Sequence, residues 1–128
     1  MDTEIKAEKW SDFFEILSKR RYEWTTSVEV LSPEIGDQIL SDGLSFNGIT
    51  MEKGEDPAIN ISLGEAPEAH QNHRIAEPTK VVFLEADKSH GNILEIEQKD
   101  GSKTLVTFVE PKGIIVDFPE FEGVAAIF

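Results

Sequence analysis

Apolar positions along this chain recur first with a helical period and then, from Trp24 onward, with a period of two. Near the N-terminus Trp10, Phe13, Phe14 and Leu17 stand at i, i+3, i+4 and i+7. That spacing predicts an amphipathic helix over about 6–20, with Ile16 at the margin of its apolar stripe. Glu8, Asp12 and Glu15 come early and Lys19, Arg20 and Arg21 late, an order that complements the helix dipole. Three aromatic rings on one stripe mark the face that covers a sheet.

The period of two opens with Trp24, Thr26, Val28 and Val30, which alternate with Thr25, Ser27 and Glu29 and predict a half-buried strand. Ser32-Pro33-Glu34 then offers an N-cap followed by proline, so a single helical turn is expected there, ended by Gly36. The segment 37–42 fits strand or turn equally. Over 44–51, Leu44 and Phe46 share one face while Ile49 and Met51 fall out of phase with them. Gly48 sits at the slip and predicts a β-bulge. Ile59, Ile61 and Leu63 alternate with Asn60 and Ser62 as the antiparallel partner of that strand.

Residues 64–78 read as a long connection punctuated by Pro67, Asn72 and Pro78. After it, runs at 79–86, 92–98 and 103–109 make a meander, its second turn built on Asp100-Gly101. The first run is apolar on both faces, which places it inside the sheet. The second keeps Leu94 and Ile96 inward and Glu95 and Glu97 outward. The expected fold is α+β: one N-terminal helix across a mostly antiparallel, strongly twisted sheet of about six strands. The Gly48 bulge leaves room for that sheet to curl into a partial barrel. A single domain is expected over 1–128, with a core of 1–110 and an apolar extension of 111–128. Within the extension 113–118 has strand character, limited to a sheet edge by Pro119.

Composition narrows the function classes. The 128 residues carry 25 acids against 12 bases, a net charge of −13. The segment 25–110 holds −10 of it, from sixteen acids and six bases. Nucleic acid and anionic membrane surfaces both require clustered Lys and Arg, so neither is an expected partner. No apolar run approaches the roughly 20 residues of a membrane-spanning helix, and the polar start fits no secretory leader. The absence of cysteine excludes disulfides and thiolate chemistry and suits a reducing cytoplasm.

Candidate chemistry is sparse. His70 and His73 stand three apart and could contribute to a metal site, though a third ligand is not evident. They are weak metal candidates, and neither metal nor cofactor is expected. Glu85, Glu95 and Glu97 could converge from adjacent strands as paired carboxylates, but alternating outward acids are the ordinary solvated face. No phosphate-cradling glycine loop, nucleophile elbow or calcium loop is present.

One resemblance stands out. Trp10 with Phe13-Phe14, Trp24 leading into Val28-Glu29-Val30-Leu31, and Ile35-Gly36 open the pattern. Gly48-Ile49, Gly64, His73 with Ile75, and Pro78-Thr79 before Val81 continue it. Leu94-Glu95-Ile96-Glu97, Asp100-Gly101 and Thr104-Leu105-Val106 close it. Over about 5–109 this resembles a bacterial family of short acidic proteins catalogued only as a domain of unknown function. The resemblance implies no activity, cofactor or catalytic residue. The expected function is therefore a non-enzymatic binding or protein-interaction domain of the cytoplasm. Its candidate contact residues are His70, His73 and Arg74 in the connection and Phe118, Phe121 and Phe128 in the extension. The alternatives are a small metal-assisted hydrolase using His70 and His73, and a homo-oligomer assembled through the extension.

Overall fold

The computed structural model describes residues 2–64, 70–85 and 92–110. In chain order the elements are β1 (Asp2–Ile5), a short 3₁₀ turn (Ala7–Lys9), α1 (Trp10–Arg20), β2 (Thr25–Ser32) and β3 (Gly36–Glu52). They continue as β4 (Ala58–Leu63), β5 (Gln71–Ala76), β6 (Pro78–Glu85), β7 (Asn92–Gln98) and β8 (Lys103–Val109). All strand pairings are antiparallel, in the order β1-β6-β7-β8-β2-β3-β4-β5. The fold is α+β, a mostly antiparallel sheet with an N-terminal helix.

Eight strands are present among the described residues, where the spacing of apolar residues predicts about six. β1 lies in the polar N-terminal stretch, and β5 falls within 64–78, expected to be a connection. In β5 only Ile75 is buried; its inward-parity neighbours are His73 and Gln71 and its outward side begins Asn72 and Arg74, which leaves no apolar alternation to find. The expected helical turn at Ser32 is instead the β2–β3 hairpin turn. There Ser32 Oγ accepts from the N–H groups of Glu34 at 3.2 Å and Ile35 at 3.4 Å, and Gly36 takes φ +78°. The segment 37–42 is strand. The helix starts at Trp10 because the 3₁₀ turn occupies the residues just before it.

Among the described residues the sheet is curled yet open, with β1 and β5 as its outer edges. Six strand spacings separate β5 from β6 in the hydrogen-bonded order, roughly 29 Å if the sheet were flat. A single residue, Glu77, joins them in the chain, and two Cα steps reach only about 7 Å. The strands must therefore bend around until β5 and β6 meet at one end. Glu77 holds that corner at φ +49°. Its N–H donates to Pro57 O at 3.1 Å, and its carbonyl accepts from Lys99 N–H at 3.0 Å.

β3 is seventeen residues long and changes partner on the way. Its first half pairs with β2 as far as Ser45, and β4 takes the other side from Phe46 onward. The expected bulge appears as a register shift between Phe46 and Gly48. Beyond it β2 has ended, and α1 lies along the vacated side. Ser18 Oγ donates to Ile49 O at 3.1 Å and accepts from Ile49 N–H at 2.9 Å, so a helix hydroxyl does what a neighbouring strand would. Trp10, Phe14 and Leu17 are buried beneath the helix against the inner faces of the strands. Phe46 and Phe108 meet edge-on at 4.9 Å, Phe13 meets Phe83 at 5.5 Å, and the Trp10 indole N–H donates to Ile5 O at 2.8 Å.

Candidate functional site

The inner faces of β3, β4 and β5 determine what their outer faces present. Ile49, Ile59, Ile61, Leu63 and Ile75 are buried, so the residues between them point outward. The register aligns Gly48, Ser62 and Asn72 in one row and Thr50, Asn60 and Arg74 in the next. Together with Asn47 and His70 they form an open trough of about 440 Å³, lined by Asn47, Gly48, Thr50, Asn60, Ser62, His70 and Asn72.

The described lining is amide and hydroxyl, with the His70 imidazole at the rim. The Asn47 amide donates to Gly64 O, which fixes the head of the trough to the end of β4. Ser62 Oγ and His70 Nε2 stand 3.2 Å apart at the rim. Beyond the other end Glu52 accepts from the Asn60 amide and from Arg74 Nε, the latter at 3.3 Å. The Asn60 bond foremost, and then Arg74, hold the Glu52 carboxyl below the usual carboxylate range. Acid and base are thus matched at this end, and among the described residues the trough lining carries no carboxylate or guanidinium.

The two histidines do not converge. His70 is exposed on the outer face, whereas His73 lies in register with buried Ile61 on the inner face. Three residues apart on a strand means opposite sides, and a shared ligand position would need a helix or an even spacing. The His73 Nε2 atom is buried with no hydrogen-bond partner among the described residues, and burial pushes the imidazole pKa below its ordinary value. Among the described residues no three His, Cys, Asp or Glu side chains gather closely enough to hold a metal. Arg74 is the rim cation already paired with Glu52. Glu95 faces Lys103 at 3.8 Å. Phe118, Phe121 and Phe128 lie outside the described residues.

Ser62 and His70 have the spacing of a nucleophile and its base, but catalysis also needs an orienting group and a preorganised anion site. Among the described residues nothing bonds the second nitrogen of His70, and both side chains sit on an open strand face. What the trough does offer is a row of neutral donors and acceptors beside β5, an edge strand among the described residues. In the linear pattern Asn60 and Ser62 stand only as the polar positions of a strand and Asn72 as loop punctuation, and Asn47 and Thr50 do not stand out at all. The available signal is that asparagine, normally depleted in strands, recurs on three adjacent ones.

Among the described residues no helix is long and apolar enough to cross a membrane. Comparison with curated proteins and with solved structures yields no match. The sequence profile of one family does match, over residues 1–115, and its description is a family of unknown function, DUF5335. The chain therefore belongs to that family of unknown function, DUF5335.

Proposed function

We propose that this protein is a non-enzymatic, cytoplasmic binding domain. The partner is an extended polypeptide segment that adds to the outer edge of β5 and rests alternate side chains in the neighbouring trough. The observation carrying this reading is the juxtaposition of an uncharged amide-and-hydroxyl surface with a strand whose second side has no strand partner among the described residues. An added strand takes affinity from main-chain hydrogen bonds, and the adjoining side chains select what it carries. In a chain of net charge −13, the neutrality of the trough also spares an acidic peptide local repulsion. The curl of the sheet, a partial barrel in this reading, turns the β5 edge outward at the end away from the Glu77 corner.

The test is selection of a random-peptide library on the immobilised full chain. Selected peptides are expected to slow amide exchange in 71–76. They should lose about tenfold or more in affinity for a Thr50→Asp/Asn72→Asp double variant. Both sites are exposed, so the fold tolerates the change. Peptides that bind the variant equally well, or that protect a different strand, would remove β5 and its trough from the proposal.

A further inference from the structure

β5 is held to the sheet by its pairing with β4 and by little else. Among the described residues β4 is its one strand neighbour, and Ile75 is its one buried side chain. Gln71, Asn72 and Arg74 are exposed. The two ends are anchored unequally. At the C-terminal end the Glu77 corner is tied to Pro57 O and Lys99 N–H, and Gln98 Nε2 donates to Ala76 O at 3.0 Å. At the N-terminal end the described side-chain tie is the 3.2 Å contact of Ser62 Oγ with exposed His70 Nε2. Local opening begins where contacts are fewest. Residues 71–74 are therefore the part that can leave while Ile75 and the corner stay in place.

His73 stands in that part, in register with buried Ile61, and its Nε2 is buried without a hydrogen-bond partner. A neutral ring forgoes one hydrogen bond there. A doubly protonated ring carries N–H on both nitrogens, so Nε2 becomes a charged donor that requires an acceptor. Among the described residues none faces it. The inward positions beside it on β3 and β4 are Ile49, Met51, Ile59, Ile61 and Leu63, and β4 has no ionisable residue. Glu52 and Arg74 pair with each other on the outer face. On α1, which packs on β3, Asp12, Glu15, Lys19 and Arg20 are exposed. No acidic or basic side chain is among the buried residues described. A proton on Nε2 is thus stabilised by water alone, and turning 71–74 outward brings the ring to water. Burial already pushes the imidazole pKa below its ordinary value, the direction this arrangement requires.

We propose that β5 is a pH-gated strand: protonation of His73 swings residues 71–74 away from β4, hinged at the Glu77 corner, while the rest of the sheet stays folded. Opening dismantles the trough, because Asn72 and His70 belong to its lining. The gate is a property of β5 itself and operates whether or not a peptide occupies the site.

Amide exchange of the full chain, followed by NMR and corrected for the intrinsic rate at each pH, tests it. Below the ordinary histidine pKa of about 6.5, the β5 amides bonded to β4 should lose protection by up to about tenfold per pH unit. They are expected to reach the rates of an unfolded chain at a pH where β7, inside the sheet, is still protected about a hundredfold or more. Loss of protection in β5 and β7 at one and the same pH would mean global unfolding and overturn the gate. Protection of β5 that does not change with pH would overturn it as well. His73→Leu should keep β5 protected over the same range, and a loss that persists in this variant would refute the role of the imidazole. Nitrogen-15 signals of the His73 ring supply a check on the parent chain that needs no variant. A ring that takes up its proton while β5 stays fully protected would equally overturn the proposal.

Discussion

The two halves of β3 belong to one continuous strand and meet opposite fates. In the second half Phe46 is fully buried and Ile49 nearly so, with β4 on one side and α1 on the other. In the first half residues 36–40 are all exposed, Ile39 at 71%. Intrinsic propensity does not separate them, since Ile39-Leu40 is as suited to a strand as Ile49-Thr50. The neighbours do. The second half lies where α1 and β4 close over it, and the first half projects as a hairpin with β2 toward the Ser32–Gly36 turn. Burial in this sheet is conferred by what stands beside a strand rather than by what the strand is made of.

The sharpest way to break that comparison is truncation at its buried end. Phe46→Ala removes a ring that meets Phe108 edge-on at 4.9 Å inside the core, and a cavity of that size costs about 3–5 kcal/mol. Ile39→Ala, at an exposed position, should change stability by no more than about 0.5 kcal/mol. Urea unfolding of the two variants measures the contrast directly. Similar losses would mean that burial does not separate the two halves.

The Ser18 hydroxyl gives a finer test of why the second half is buried. It both donates to Ile49 O and accepts from Ile49 N–H, so Ser18→Ala leaves two main-chain groups beneath the helix without partners. Each such group costs about 1–3 kcal/mol unless water reaches it. Both bonds are only part-buried, so with water replacing one of them the expected loss is about 1–3 kcal/mol in all, with faster exchange of the Ile49 amide than of its neighbours. Exchange unchanged at Ile49 would show that the hydroxyl is incidental and that aromatic packing alone seats the helix.

Much of the interior is legible in the residues themselves. Val28, Ile59, Ile61, Leu63, Leu94 and Ile96 all point to the core as alternation requires, and the Gly48 slip is a register shift in the structure. These inferences need only local periodicity. β5 escapes the same logic because the inward neighbour of Ile75 is His73, and its outward side carries Asn72 and Arg74. The trough escapes for a different reason. Gly48, Ser62 and Asn72 form a row only once two registers are set, and no spacing along the chain encodes both. The paired-histidine idea fails on the same unknown: on a helix the two would share a face, and on a strand they cannot.

The smallest expected effect concerns pH and lies wholly in the second-half lobe. His73 faces inward across from Ile61, which in turn pairs with Ile49, and burial lowers its pKa from the ordinary value near about 6.5. In the unfolded chain the imidazole binds its proton at higher pH than in the folded one. Between the two values the unfolded state therefore holds more protons, and stability rises with pH. The contribution is complete above about pH 6.5, declines as pH falls toward the folded value, and levels off below it. Glu52 has a lowered pKa as well, so its own loss belongs to a separate window below about pH 4.5. Plotting the urea midpoint against pH should show a slope in the histidine window for the parent chain and for His70→Gln. His73→Leu, which fills the same inward position with an aliphatic side chain, should flatten it. If His73→Leu kept the slope, the titrating group would lie elsewhere. The buried row through Ile49, Ile61 and His73 would then have no part in the pH response.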